Sequence, residues 1–123
     1  MPVARILCVN HRTVSVPLKH WHRVLACVEA AMQDAAQNSE VLSFGSGAIV
    51  QDATHRAVSQ YTGPTTSFGW PPDEHHLAIT LEDGEWAWVF QHLDLWGYPD
   101  EFEQVAAKQF LTDALGDPPP AAR

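Results

Sequence analysis

Residues 75–93 read HHLAITLEDGEWAWVFQHL, and how this stretch folds decides the architecture of the chain. Its first half alternates Leu77, Ile79 and Leu81 with smaller or polar residues, the period of a half-buried strand. Asp83-Gly84 follows, a dipeptide suited to the two-residue turn of a β-hairpin. Beyond it, Trp86, Trp88 and Phe90 continue the alternation. A hairpin centred on Asp83-Gly84 pairs Leu81 with Trp86, Ile79 with Trp88 and Leu77 with Phe90. All three pairs lie on one apolar face, and a one-residue slip would destroy the match. On this reading the stretch is two antiparallel strands, 75–82 and 85–93.

Working outward, Val3–Asn10 is a short apolar run that predicts a first, central strand. Ser15-Val16-Pro17 supplies a helix start, with Ser15 as cap and Pro17 in the first turn. Leu18, Trp21, Leu25, Val28, Met32 and Ala35 then recur at steps of three and four, which predicts an amphipathic helix over 17–37. Asn38-Ser39 ends it. Glu40–Phe44 reads as a strand, Gly45-Ser46-Gly47 as a turn or bulge, and Ala48–Val50 as resumed extended chain. Residues 52–61 fit either a short helix burying Ala53, Ala57, Val58 and Tyr61 or a further strand. Thr62–Asp73 is a long loop rich in Gly and Pro, of the kind that often carries function. A last helix starts near Tyr98-Pro99-Asp100 with Phe102, Val105, Ala106, Phe110 and Ala114 on its apolar stripe, and stops at Gly116. The expected fold is α+β. Residues 1–116 form one domain, a mainly antiparallel sheet of four to five strands with two helices packed on one face. Residues 117–123 form a disordered Pro-rich tail.

The charge is unevenly distributed. Residues 57–107 contain neither Lys nor Arg but hold nine of the fifteen carboxylates, nine of the twelve aromatics and four of the five Trp. The first 28 residues contain Arg5, Arg12, Lys19 and Arg23 and no acid. A net charge of −8 disfavours direct binding to nucleic acid or to an anionic membrane, both of which call for a basic surface. The chain has no apolar run of membrane-spanning length and no signal-peptide core, and it reads as intracellular and cytoplasmic. Cys8 and Cys27 stand apart in apolar elements, where reduced, buried thiols are expected. Gly45-Ser46-Gly47 resembles the start of a dinucleotide-binding loop, but Val50 occupies the third glycine's position. No cofactor is implied.

Three groups of residues stand out as sites. The first is Phe68, Trp70, Trp96 and Tyr98 with Asp100, Glu101 and Glu103, an acidic and aromatic set suited to a basic partner. The second is Lys19, His20, His22 and Arg23, which crowd a helix N-terminus where the macrodipole disfavours cations. An anionic ligand or the chain's own acidic middle would relieve that. The third is Asp73, His75, His92 and Asp94, which the hairpin register would bring together at its open end as metal ligands or an acid–base set. The leading expectation is a binding protein of inhibitor, immunity or adaptor type acting on a basic protein. Alternatives are a small-molecule binder or sensor with a pocket under the 62–73 loop, or a small enzyme using His75 and His92. The complementary basic head and acidic middle also suggest a homodimer.

Overall fold

The computed structural model describes residues 11–67, 69–97 and 100–116. Its elements are β1 (His11–Pro17), α1 (Leu18–Gln37), α2 (Val41–Ser59), β2 (His76–Glu82), α3 (Asp83–Leu95) and α4 (Phe102–Leu115). Among the described residues the sheet has two strands only, β1 antiparallel to β2. This overturns the expected four- to five-stranded sheet with two helices, because four helices supply most of the layers. The run Val3–Asn10 and the tail 117–123 lie outside the described residues.

The correction turns on residues 83–95. Leu77, Ile79 and Leu81 do form one buried face of a strand, but their partners come from β1: Val16 opposite Leu77, Val14 opposite Ile79, Arg12 opposite Leu81. The hairpin pairs Ile79–Trp88 and Leu77–Phe90 are not made. Asp83 and Gly84 are instead the first two residues of α3. Trp86, Ala87, Val89, Phe90 and Leu93 are its buried positions, spaced as a helix requires. Trp86, Trp88 and Phe90 also alternate, so both periods fit the same letters. Length separates them: α3 runs 13 residues, well beyond the usual strand of about 5–6. Arg12 fixes the start of the helix, its Nε lying 2.9 Å from Asp83 Oδ1 while Nη1 donates to the Leu115 carbonyl (3.2 Å). An acid in a first turn and a cation at a last turn both suit the helix dipole.

The second correction is α2. Glu40–Phe44, Gly45–Gly47 and Ala48–Val50, read as strand, turn and strand, belong to one helix that continues through the ambiguous 52–59 segment. Its residues are weak helix formers, so tertiary packing holds it. Val50, Ala53, Thr54 and Ala57 face the core. A Cβ on Gly47 would fall 2.3 Å from Met32 Cγ, so glycine there lets α2 approach α1 closely. The two helices form a hairpin whose turn uses Ser39 in the left-handed region (φ 57°).

α1 agrees with its predicted stripe, burying Leu18, Trp21, Val28, Met32 and Ala35, with Leu25 half-buried. Its cap position is Pro17, not Ser15, which lies in β1 with its hydroxyl 3.3 Å from His76 Nδ1. α4 is rotated from its expected phase. It buries Gln104, Ala107 and Leu111, and Phe102 and Val105 turn outward. The buried Gln104 amide sets that phase, since Nε2 donates to the carbonyls of Leu93 (2.6 Å) and Trp96 (2.9 Å) at the end of α3. Gly116 ends α4 with φ 82°.

Trp21 and Trp86, both fully buried, meet edge to face at the centre of the core, with centroids 6.1 Å apart and planes at 71°. Each indole N–H has a partner: Trp21 donates to Thr54 Oγ1 (2.8 Å) and Trp86 to the Arg12 carbonyl (3.1 Å). Trp86→Ala should cost about 3–5 kcal/mol in urea unfolding, and the half-buried Trp88→Ala clearly less. The hairpin alternative would make Trp88 the costlier loss. Gly47→Val should cost about 1–3 kcal/mol by overpacking against Met32, measured the same way.

Candidate functional site

The segment between α2 and β2 is held by its own backbone. Thr66 N–H donates to the Trp70 carbonyl (2.7 Å), Gly69 N–H to Thr66 (3.0 Å) and His75 N–H to Pro72 (2.9 Å). Its end docks on the start of α1, where the Leu18 and Lys19 amides donate to the carbonyls of His75 (2.9 Å) and Asp73 (3.0 Å). These are amides of a helix first turn, which an anion would otherwise take. Here the chain's own carbonyls accept from both.

The cations of that turn are also engaged within the chain. Lys19 Nζ lies 3.4 Å from Glu74 Oε1. Arg23 Nη2 reaches both Glu101 Oε1 (3.0 Å) and Glu103 Oε2. Basic head and acidic middle therefore meet inside one molecule. Hydrogen bonding to Glu103 raises the Arg23 pKa above its ordinary value. The rings of His20 and His22 lie against aromatics, His20 by Phe110 (5.4 Å) and His22 by Trp70 (5.1 Å, edge to face). Burial, with Lys19 beside it, lowers the His20 pKa.

Two adjoining clefts follow from this docking. One, of about 590 Å³, is walled by Trp70 and Pro71 and carries His22 and Asp73. The other, of about 480 Å³, has Lys19 and His20 on one side and Phe102 and Glu103 on the other, and shares His22 and Asp73 with the first. The structure thus brings most of the first two predicted groups onto one trough between α1, the 62–75 segment and the start of α4. Trp70 and Trp96 are half-buried and pack on the core; Trp70 walls the first cleft, and Trp96 lines neither. The Trp96 carbonyl is held by Gln104 and by the Cys27 thiol (3.5 Å). Burial pushes that thiol's pKa up, as befits a packed Cys. Phe68 and Tyr98 lie outside the described residues.

The residue that sequence reasoning misplaced is Phe102. Read as core, it is 83% exposed on the first turn of α4, between Glu101 and Glu103 and two residues after Asp100. No local signal marks it, since Phe102 shares a helical stripe with Val105 and Phe110 and the phase of α4 is set by the buried Gln104.

Asp73, His75, His92 and Asp94 are not joined by a hairpin, and each has other neighbours. His75 lies against Tyr61 (4.5 Å) and His92 against Trp88 (4.2 Å), with His92 Nδ1 2.9 Å from the Trp88 carbonyl. Asp94 pairs with Lys108. Among the described residues no group of three or more His, Cys, Asp or Glu is arranged to hold a metal ion, and no helix is long and apolar enough to cross a membrane. No known protein family, curated protein or solved structure matches the chain.

The lowered His20 pKa has a signed consequence. Below 6.5, its ordinary value, the unfolded chain takes up a proton that the fold resists, so stability is full above that pH and falls as pH drops through it. Between about pH 7.5 and 5.5 the parent's melting temperature should fall more than that of His20→Gln. Equal losses would show that His20 pays no penalty in the fold.

Proposed function

We propose that the protein is a small binding protein, of inhibitor, immunity or adaptor type, that engages a basic protein partner through the acidic, aromatic edge of the trough. The observation that carries this reading is Phe102, a large apolar side chain 83% exposed and flanked by carboxylates at Asp100, Glu101 and Glu103. An exposed aromatic set among like charges combines the two parts of a charge-steered interface, an anchor to desolvate and a field to guide approach. Asp73, Glu74, Asp100, Glu101 and Glu103 outnumber Lys19 and Arg23 along this edge, so the local field favours a cation. Asp100 makes no ion pair among the described residues. Trp70 acts as a supporting wall. A small-molecule reading is supported by the 590 Å³ cleft, whose Trp70 wall, His22 and Asp73 suit a planar polar ligand.

The test is affinity capture from source-cell lysate at low and high salt, followed by kinetics on the captured partner. A basic protein should be retained at low salt. Asp100→Lys should lower its on-rate several-fold, with the difference shrinking as salt rises. Phe102→Ala should chiefly raise the off-rate, by about tenfold or more for a true anchor. Both side chains are exposed, so neither change should disturb folding. Folded variants that bind like the parent would sink this interface, and retention of a small molecule alone would favour the cleft.

A further inference from the structure

Beside the α1–α2 turn, the first half of α2 presents a surface that its own fold does not explain. Val41 and Leu42 are 80% and 88% exposed, and Phe44 and Ile49 are each nearly half exposed. From Val41 to Val50 there is no charged residue. In the middle of this face sits Gly45. A glycine inside a helix is unfavourable, and Gly47 justifies that by its contact with Met32. Gly45 has no such reason, since a Cβ there would meet nothing within 4 Å. Ala48, one turn on, is also exposed. Small residues at 45 and 48 between large apolar ones make a surface that a second helix can approach closely. Beside it lies a cleft of about 350 Å³ lined by Ala35, Ala36, Val41 and Phe44, with Ser39 and Glu40 at its rim.

We propose that this face is the contact of a symmetric homodimer in which α2 crosses α2 of a second copy over Gly45, each Leu42 entering the other copy's cleft. The face supplies both the knob and the hole, as an isologous contact requires. Charge points to the same occupant. Each copy carries −8, and the ten residues from Val41 to Val50 carry no charge, so two copies can meet over this window with Glu40 as the only carboxylate at its cleft. Glu40 stands at the N-terminal rim of the face, and beyond its C-terminal end Asp52 and Arg56 neutralise each other at 3.1 Å. The exposed apolar surface is on the order of 500 Å² per copy. Pairing would then remove on the order of 1,000 Å², enough for a weak, concentration-dependent dimer. The contact uses neither the trough nor Phe102 and stands independently of the proposed partner.

Sedimentation equilibrium from about 10 to 500 µM chain tests it, at about 0.05 and 0.5 M salt. The parent should pass from monomer to dimer, and more readily at high salt, which screens the net repulsion. A dimer built on the basic head and acidic middle would show the reverse. Leu42→Glu should weaken the dimer at least about tenfold while leaving the melting temperature of dilute protein unchanged. Gly45→Ala should raise that melting temperature yet weaken dimerisation, a pair of effects no purely intrachain role would give. A parent monomeric throughout the range, a dimer indifferent to Leu42→Glu, or a monomer that floats with lipid vesicles through this face would overturn the proposal.

Discussion

The edge-to-face contact of Trp21 and Trp86 is the constraint on which the described structure depends. Two fully buried indoles contribute a large share of the apolar area available to so short a chain, and each brings a polar N–H that must find a partner. Those partners tie the elements together. Trp21 reaches α2 through Thr54, whose hydroxyl in turn donates to the Val50 carbonyl (2.9 Å). Trp86 reaches β1 through the Arg12 carbonyl, and the Arg12 side chain secures the start of α3 and the end of α4. One aromatic pair thereby fixes the relative positions of three helices and the ribbon, and α4 follows by way of Gln104 and Arg12.

The trough is a consequence of that arrangement. With α1 set by Trp21, its first turn must be satisfied by whatever lies beside it, and the carbonyls of Asp73 and His75 are there because β2 begins immediately afterwards. The same docking carries Glu74 to Lys19, while the α3–α4 connection carries Glu101 and Glu103 to Arg23. These surface pairs add little stability each. Their effect is to neutralise the basic head, so the edge left facing solvent is acidic and bears Phe102. The proposed binding edge is what remains after the fold has met its own electrostatic needs.

Legibility in the sequence followed the number of periods each segment could satisfy. α1 fits only a helix, and its core positions could be read directly. Leu77, Ile79 and Leu81 fit only a strand, and that face is buried, although its partner strand was misassigned. Residues 86–90 fit both periods, and Asp83-Gly84, a favoured turn, also serves as a helix start when an arginine from another strand meets the aspartate. The α2 sequence favours extended structure locally and is helical because Trp21 and Met32 demand a partner layer, a long-range fact no local window contains. Of the site, the pairing of basic head with acidic middle was legible from charge alone. The exposure of Phe102 was not, because the phase of α4 is set by a buried glutamine reaching carbonyls in another helix, whereas a stripe of Phe102, Val105 and Phe110 looks like a core.

The chain turns from strand to helix at Asp83, and only so does Trp86 meet Trp21. Solution NMR of the full chain reads this directly. Backbone carbon shifts should be strand-like over 76–82 and helical over 84–94, with NOEs joining the Trp21 and Trp86 indoles and linking Val14 to Ile79. Strand-like shifts continuing through 85–93, with cross-strand NOEs between Ile79 and Trp88, would contradict it.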